Sequence, residues 1–497
     1  MKKELTAFAL AVCTLFTGCS DKSSSSSSPA EKVQSGNADI ESQGASRNKD
    51  DIVITIGLLN EPEDKNFIKA IDDFNSADNG CRIETKFMSS RFEEDGGVHG
   101  YTEEEIGNID FNTLQMIMNE GGLDIIGQWT FGDNAKYELL KQKGAFVDLY
   151  DFIENDPEVN TSALNQHILE LNEIDGKLYS IPQFYDVHTV ISKSEYGGTK
   201  QNWSIDEFIE HWNSMPSGST IEGSNCAEYV FTELLCENLP AFVDEENAKV
   251  SFDSDDFRKM LEFCKQFPSN NGQKADYDYT APMLTDNYWI RSVGDAIYTE
   301  MNYQTWEQKQ YRLREGGYTL VGYPTSDRSG AYLSTSYPGW SISADSSDDK
   351  QEAAWKFIRQ FYTESAQIEG AVTEEKDKNP ETMEDITRYY FYDGMCINNA
   401  ARQKIAENTV SGMYDSDEPV YAQGRKITID KLRLDEKDCE FIENYVNSID
   451  RWDTSVDREL WKIVTDEVMT CLGGGQSVDT AIDMIQNRAS LWVSERY

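Results

Sequence analysis

Residues able to support catalysis are scattered along this chain. Its four histidines, at positions 99, 167, 188 and 211, are far apart, and none belongs to an HExxH pattern. The chain contains no GxSxG, P-loop or GxGxxG pattern. Glu61 and Asp186 are two of many carboxylates, and their spacing alone does not exclude a glycosidase pair. The sequence therefore predicts no catalytic residues.

Metal and cofactor motifs are equally sparse. Residues 252–256 are rich in Asp but lack the glycine and the final glutamate of an EF-hand loop. An acidic helix start explains them better, since carboxylates stabilise the positive end of a helix dipole. We therefore predict neither a metal site nor a cofactor.

Cys19 is the residue whose position indicates a defined chemistry. Lys2 and Lys3 precede a short apolar run over residues 5–16, and a Thr-Gly pair then leads directly to Cys19. This order is typical of a bacterial lipoprotein signal, although Phe16 stands where Leu is more usual. The run is too short to span a bilayer. We expect residues 1–18 to be removed and Cys19 to carry lipid; the alternative is an ordinary signal peptide with a chance cysteine.

A polar segment separates Cys19 from the rest of the chain. Residues 19–49 include six consecutive serines at 23–28 and scarcely any apolar side chain. Such a segment cannot bury enough surface to offset the entropy of ordering, so it is predicted to be a flexible tether. The remaining residues, from about 50 to 497, are too many for one ordinary core and predict at least two lobes.

Composition excludes several classes of partner. The chain has 45 Lys plus Arg against 89 Asp plus Glu, giving a formal net charge of −44. Nucleic acids and anionic lipid surfaces attract positive charge, so neither is an expected partner. A hydrophobic fraction of 39% with 11% aromatic residues is ample for a folded core.

The cysteines show no disulfide or metal framework. With Cys13 removed and Cys19 acylated, an odd number remains, none in a CxxC pair. The remaining cysteines are Cys81, Cys226, Cys236, Cys264, Cys396, Cys439 and Cys471. At most three disulfides are compatible with these seven, and buried free thiols are the preferred interpretation for most of them.

The order of elements predicts an α/β fold. Residues 52–59 form an apolar, β-branched run expected of a strand buried on both faces. A helix with Phe67, Ile71 and Phe74 on one face follows, then strands at 82–88 and 123–127 with a helix between them. This β-α-β-α-β order favours a parallel sheet with helices on its faces.

Later elements alternate less regularly. Strands are predicted at 186–192, 295–301 and 318–322, and helices at 203–212 and 253–267. Ser254 is the expected N-cap of the second of these helices. Helices are expected to dominate from residue 348, and the last one carries an apolar stripe for core packing. That stripe consists of Val478, Ile482, Ile485, Ala489 and Trp492.

Several short segments, in this order and spacing, resemble a known family. They are residues 123–126, 144–149, 176–182, 321–324, 353–358, 475–479 and 485–488. Together with the lipoprotein signal, they resemble the sugar-type extracellular solute-binding lipoproteins of ABC importers, relatives of maltose-binding protein. The resemblance implies a periplasmic-binding-protein-like fold with two α/β lobes joined by a hinge and a ligand cleft between them. Lobe one would be residues 50–183 with 292–336, and lobe two residues 187–290 with 340–497.

The same resemblance implies a function. A monomer anchored at the outer face of the cell membrane would capture a small carbohydrate, expected to be an oligosaccharide, by hinge closure. Membrane permease subunits would then recognise the closed form. Two alternatives stay open: a receptor of the same fold for a peptide or other non-sugar solute, and a tethered surface glycoside hydrolase.

Candidate ligand residues follow from the predicted strand ends and hinge. In sheets of this class the binding crevice lies beyond the carboxyl ends of the strands. Aromatic rings suit the apolar faces of sugars, and amide or carboxylate groups suit their hydroxyls. The residues after strands are Asn60, Glu61, Gln128, Trp129, Asn302, Tyr303 and Trp306. The hinge would add Tyr185, Asp186, Tyr337 and Trp340, and Trp452 lies in a further polar loop. For each aromatic residue, ordinary packing is the alternative.

Overall fold

The structure is a computed structural model of the chain. It describes residues 51–60, 62, 65–89, 103–118, 122–131, 134–193, 200–215, 217, 226–244, 247–269, 318–337, 339–378, 385–391, 394–414, 420–422, 425–427, 433–453 and 457–496. The predicted signal, Cys19, the tether and the strand predicted at 295–301 lie outside these residues.

Strands and helices alternate through much of the described chain. The strands are β1 (Ile52–Leu58), β2 (Cys81–Phe87), β3 (Ile125–Gly127), β4 (Glu173–Ile174), β5 (Lys177–Leu178), β6 (Phe184–His188), β7 (Ile191–Lys193), β8 (Val243–Asp244), β9 (Lys249–Val250), β10 (Tyr318–Leu320), β11 (Tyr332–Tyr337), β12 (Trp340–Ile342), β13 (Val372–Lys378), β14 (Asp385–Phe391), β15 (Met395–Cys396), β16 (Val420–Ala422) and β17 (Arg425–Ile427). The α-helices are α1 (Lys65–Ser76), α2 (Glu103–Met118), α3 (Asn134–Gln142), α4 (Tyr150–Ile153), α5 (Gln166–Leu171), α6 (Ile205–Asn213), α7 (Ala227–Asn238), α8 (Asp255–Cys264), α9 (Asp348–Ile358), α10 (Glu364–Ala371), α11 (Asn399–Ser411), α12 (Glu436–Val446), α13 (Arg458–Leu472) and α14 (Val478–Arg496).

The described chain forms two compact units. Unit 1 contains the described residues up to Phe152 together with Gly339–Gln360, and unit 2 contains those of 153–338 and 361–497. The chain therefore passes from one unit to the other three times, after residues 152, 338 and 360.

Unit 1 is built on a four-stranded sheet in the order β12-β3-β1-β2. Strand β1 pairs in parallel with β2 and β3, whereas β12 runs antiparallel to β3. Ile54 and Ile56 of β1 have no exposed surface, as the β-branched run predicted. Burying each such side chain contributes about 1.5–3 kcal/mol. The parallel β-α-β-α-β unit predicted from the sequence is confirmed.

Helices α1 and α9 cover the sheet of unit 1. Phe67 and Phe74 of α1 are buried, and the Phe74 ring meets Phe357 of α9 edge-to-face with centroids 5.3 Å apart. Because residues three and four apart share one helix face, this spacing places the apolar stripe of α1 against the sheet.

Unit 2 has a core made largely of helices. Residues of α6, α7, α8, α13 and α14 contribute to one buried cluster. Helix α8 is capped by Ser254, whose hydroxyl accepts from the Phe257 amide, and Phe257, Leu261 and Cys264 are buried as predicted. The stripe predicted for α14 is also confirmed, since its four residues after Val478 are buried and Val478 packs against the same cluster.

Strand β6 is the central strand of an antiparallel sheet in unit 2, with the order β11-β6-β15. Directly after α10, β13 and β14 form a separate antiparallel ribbon with seven paired positions. The prediction that helices dominate beyond residue 348 missed this ribbon. Its first strand, Val-Thr-Glu-Glu-Lys-Asp-Lys, is mostly charged and has no apolar alternation that would indicate a strand.

The predicted lobe boundaries differ from this division. The prediction placed residues from 340 onward in lobe two, but β12 pairs with β3 in unit 1. It placed residues 292–336 in lobe one, but β10 pairs with β7 and β11 pairs with β6, all in unit 2. Residues 153–183, also assigned to lobe one, belong to unit 2. The prediction fails here because strand pairing, and not sequence order, determines to which unit each crossing segment belongs.

The seven cysteines beyond Cys19 are all free thiols, and five of them are buried. Burial raises the pKa of the Cys396 thiol to about 12, so it stays protonated at neutral pH. None of the helices in the described ranges is both long and apolar enough to cross a membrane.

Candidate functional site

The carboxyl edge of the parallel strands in unit 1 brings three loops together. Asn60 comes shortly after β1, Ser89 after β2, and Gln128 and Trp129 directly after β3. The Leu59 amide donates to the Trp129 carbonyl at 3.1 Å, and the Ser89 amide donates to the Leu59 carbonyl at 2.9 Å. These backbone bonds fix the three loops side by side at this edge of the sheet.

The Thr130 side chain ties the turn that follows β3 to the sheet. Residues 128–130 form a 3₁₀ turn, and the buried Thr130 hydroxyl accepts from the Gly127 amide at 3.0 Å and donates to the Gly57 carbonyl at 2.7 Å. Gly57 leaves room for this contact, because a Cβ at that position would lie 2.7 Å from the Thr130 methyl. The turn is therefore tied to both β1 and β3.

Trp129 projects from this turn into solvent. Its side chain is 48% exposed, although the residues on either side of the turn are buried. Asn60 in the neighbouring loop is exposed as well. An exposed indole face beside an amide can stack on the apolar face of a small solute while the amide serves its hydroxyl groups.

Trp340 lies at the same edge of the sheet but inside the packing. Strand β12 begins at Trp340, which pairs with Gly127 at the end of β3. The indole is 7% exposed and stacks on Phe67, with ring centroids 5.4 Å apart and planes 13° apart. A Cβ on Gly127 would lie 3.0 Å from the Trp340 ring, so that glycine admits the indole. Trp340, predicted as a hinge residue exposed to ligand, is therefore a packed residue of unit 1 in this structure.

Tyr185 and Asp186 lie within β6 of unit 2 and not at its end. Tyr185 pairs with Met395 and has no exposed surface, and Asp186 pairs with Ser334 and is 3% exposed. Burial raises the pKa of Tyr185 well above its ordinary value. Both residues were predicted to reach the ligand, but neither presents a surface to solvent.

Trp452 lies in a loop that extends the same sheet of unit 2. It forms a parallel bridge with Leu333 and is half-buried. The preceding Arg451 places its guanidinium 4.9 Å from the centre of the Tyr332 ring, a cation–π contact. Tyr337 is the last residue of β11 and pairs with Phe184 of β6. The other predicted ligand residues, Glu61, Asn302, Tyr303 and Trp306, lie outside the described residues.

The comparison with protein families decides the identity of this fold. Residues 90–374, more than half of the chain, match the family model described as bacterial extracellular solute-binding protein.

The chain belongs to this family.

The family confirms the periplasmic-binding-protein type of fold that the sequence predicted for this solute-binding protein. A comparison with curated proteins gave no match.

Solved structures of related type resemble this solute-binding protein at low identity. A putative oligosaccharide periplasmic-binding protein from Synechococcus sp. MITs9220 has a TM-score of 0.48 at 11% identity, covering 89% of this chain and 100% of that chain. An extracellular solute-binding protein of family 1 from Alicyclobacillus acidocaldarius has a TM-score of 0.46 at 14% identity, with coverages of 90% and 100%. The maltose-bound MalE3 of T. maritima has a TM-score of 0.42 at 15% identity, with coverages of 89% and 100%.

The described histidines of this solute-binding protein have packing roles. The His188 ring stacks on Tyr332 with centroids 4.5 Å apart, and its Nε2 lies 2.6 Å from the Ser334 hydroxyl. His167 Nε2 lies 2.9 Å from the Ile449 carbonyl oxygen. Within the part of the chain that the structure describes, no group of three His, Cys, Asp or Glu side chains could hold a metal ion.

Two residues of the solute-binding protein's sheet edge were not among the sequence candidates. Ser89 comes two residues after the end of β2, so the strand-end argument that selected Asn60 and Trp129 could have found it. Thr130 could not be found in this way, because its role depends on the carbonyl of Gly57, 73 positions away in the sequence.

Proposed function

We propose that this solute-binding protein captures a carbohydrate, expected to be an oligosaccharide, by hinge closure and delivers it to the permease of an ABC transporter. It acts as a monomer at the outer face of the bacterial membrane, anchored by lipid on Cys19. The proposal includes no catalytic step. Membership of an extracellular solute-binding family supports the receptor role.

One observation carries the choice of a sugar. Trp129 exposes 48% of its side chain on a turn that Thr130 ties to two strands. A turn whose backbone is fixed in this way presents the ring to a sugar without first losing backbone freedom, which favours affinity. Its position at the carboxyl edge of parallel strands is where ligands bind in open α/β sheets.

The ligand class can be tested by calorimetric titration of the purified protein with mono- and oligosaccharides. A ligand at 100 times its dissociation constant should stabilise the protein by about 2.7 kcal/mol, which a thermal shift also detects. Replacing Trp129→Ala should weaken binding about 30-fold, because a buried aromatic anchor typically contributes about 2 kcal/mol.

A matched control is available in the same unit. Phe111 on α2 is 38% exposed but does not lie at the carboxyl edge of the sheet, so Phe111→Ala should leave sugar affinity unchanged. If the protein bound peptides and no glycan, its ligand would be a non-sugar solute and the sugar assignment would be wrong. Turnover of a glycan by the purified protein would contradict the receptor role.

The lipid anchor requires a separate test. The charged start, the short apolar run and the Thr-Gly-Cys19 order support it. The substitution Cys19→Ser should move the protein from the membrane fraction into the medium when it is expressed in a bacterial host. Retention of the variant in the membrane fraction would contradict the anchor while leaving the ligand proposal untouched.

A further inference from the structure

Unit 2 contains a polar pocket lined by its own residues. Its volume is about 590 Å³, within the range of about 300–1,000 Å³ that is usual for small-molecule sites. It is formed by the segment around α5, the start of α11 and a residue just after α12. Eight of its nine described lining residues carry polar side chains, and the other is Leu164.

Hydrogen bonds between the three segments hold the pocket in shape. The Asn399 amide donates to the Ala163 carbonyl at 2.8 Å, and Asn399 Nδ2 donates to the Leu164 carbonyl, also at 2.8 Å. His167 Nε2 and the Ile449 carbonyl, 2.9 Å apart, connect α5 to the segment after α12. A pocket formed in this way needs little reorganisation to receive a ligand.

The charge of the pocket does not favour an anion. Arg402 lines the pocket, but its Nε donates to Glu443 at 2.8 Å, so its charge is paired. Its Nη1 donates to the Cys396 carbonyl at 3.0 Å and its Nη2 to Asn399 Oδ1 at 2.9 Å. The guanidinium is therefore committed to the protein, and the lining is close to neutral.

The side chain of Asn165 lines the pocket and caps α5. Its Oδ1 accepts from the His167 amide at 3.1 Å and the Ile168 amide at 3.4 Å, which caps α5. The Nδ2 group takes no part in this cap, and the Asn165 side chain contributes to lowering the pKa of the neighbouring Tyr185 hydroxyl.

The Tyr185 hydroxyl adds a second polar group close to these residues. Burial raises the pKa of Tyr185, and the nearby Arg402 guanidinium and Asn165 amide lower it in part. The hydroxyl is fully buried and has no hydrogen-bond partner among the described residues. Burial of a hydroxyl is costly unless it is hydrogen-bonded.

We propose that this pocket of unit 2 binds a neutral, hydroxyl-rich small molecule of monosaccharide or polyol size. Amide, hydroxyl and imidazole groups match the donors and acceptors of such a solute, whereas a lining with one apolar residue disfavours an apolar one. The inference goes beyond the proposed function and does not depend on it, because its residues are not those of the Trp129 edge.

The test is calorimetric titration of the purified protein with glucose, galactose and mannitol, with sulfate as the anionic probe. Asn165→Asp keeps the cap oxygen but removes the Nδ2 donor, so it should raise the dissociation constant at least about tenfold. Asn160→Asp is the matched control: it adds the same charge and keeps the oxygen that accepts from the Ser162 and Ala163 amides, but it does not line the pocket. A second variant, Gln166→Trp, should obstruct the pocket from an exposed lining position.

The outcomes separate this pocket from the proposed receptor site. Binding that Asn165→Asp and Gln166→Trp weaken, and that Asn160→Asp and Trp129→Ala leave unchanged, would support the proposal. Glucose and galactose binding without mannitol would narrow the ligand to ring sugars, and mannitol binding without them would narrow it to open-chain polyols. Binding that only Trp129→Ala weakens would overturn the pocket and leave the receptor site standing. No binding of any neutral probe, or tighter binding of sulfate, would also overturn it.

Discussion

Trp129 in unit 1 and Tyr185 in unit 2 were both predicted to bind ligand, the first because it follows a strand and the second because it lies in the predicted hinge, and they have opposite environments. Trp129 is 48% exposed on a turn just after a strand, whereas Tyr185 has no exposed surface in the middle of one. A residue after the carboxyl end of a parallel strand leaves the sheet, but a residue within a central strand must pack on one of its faces. Whether an aromatic residue can meet a ligand therefore depends on where its strand ends.

The largest expected difference between the two residues is in stability. Replacing Tyr185→Ala should lower the free energy of unfolding by about 4 kcal/mol, because it removes a fully buried ring from the core. Replacing Trp129→Ala should change it by less than about 0.5 kcal/mol, as is usual for an exposed side chain. Urea unfolding followed by circular dichroism measures both.

The conservative variant Tyr185→Phe is the control for this prediction. It keeps the ring and removes a hydroxyl that lacks a partner among the described residues, so stability should change by less than about 1 kcal/mol. Equal losses of stability in the two alanine variants would show that Trp129 is as much a packing residue as Tyr185, and the comparison would fail.

The turn that carries Trp129 should depend on the Thr130 hydroxyl. Replacing Thr130→Val keeps the shape of the side chain but leaves the buried Gly127 amide without its acceptor, at a cost of about 2 kcal/mol. We also expect faster local motion of the indole, because the turn would lose its bond to the Gly57 carbonyl. Unfolding experiments measure the first effect, and NMR relaxation of the Trp129 indole signal, assigned by its loss in Trp129→Phe, measures the second.

Thr130→Ser retains the hydroxyl and should behave much more like the unmodified protein. If Thr130→Val and Thr130→Ser lose the same stability, the methyl contact would be the important one and not the two hydrogen bonds. Sugar affinity that falls in Thr130→Val but not in Thr130→Ser would connect the rigidity of the turn to binding.

Trp340 tests whether a buried aromatic residue at the same edge as Trp129 also contributes to binding. Replacing Trp340→Phe should cost about 1 kcal/mol of stability, because a smaller ring keeps part of the stacking on Phe67. Sugar affinity should stay unchanged if Trp340 only packs. A loss of affinity comparable to that of Trp129→Ala would restore Trp340 to the ligand-binding residues predicted from the sequence.

The sequence predicted those parts of the fold whose patterns are local. The run over β1 and the stripes on α1, α8 and α14 depend on neighbouring residues along the chain, and the structure confirms each of them. The unit to which each segment next to a chain crossing belongs was not predictable in this way. The pairing of β12 with β3 depends on residues more than two hundred positions apart, and no short pattern encodes it.

The candidate site residues show the same difference between local patterns and long-range packing. Asn60 and Trp129 were found because they follow strands whose apolar runs are easy to locate. The burial of Tyr185 and Trp340 was not predicted, because it depends on Met395 and Phe67, partners that packing brings from distant segments. The sequence thus predicted where strands end, but it did not predict which side chains pack around those ends.

Acid should weaken the ion-pair cluster around Glu207 of unit 2, an effect on stability smaller than that of any of these substitutions. Glu207 lies on α6 of unit 2 and forms a bidentate pair with Arg328 at 2.9 and 3.1 Å. Lys200 contacts the same carboxylate. The Glu207 carboxylate also accepts from the Ser204 amide at 3.1 Å. The hydrogen bonds from Arg328 and Lys200 lower the pKa of Glu207 to about 2 from an ordinary value of 4.5. The ties of Thr130 in unit 1 involve no titratable group.

A lowered pKa in the folded state means that Glu207 stabilises the protein above pH 4.5, and that this contribution is lost as the pH falls from there through about 2. Both cations are largely exposed, so we expect Glu207→Gln to cost less than about 1 kcal/mol at pH 7. The difference between the unmodified protein and the variant should be smaller at pH 3 than at pH 7, as urea unfolding at each pH can measure. Glu210→Gln, an exposed position on the same helix, should show no such change, and a pH-independent deficit in Glu207→Gln would assign its role to the cap and not to its charge.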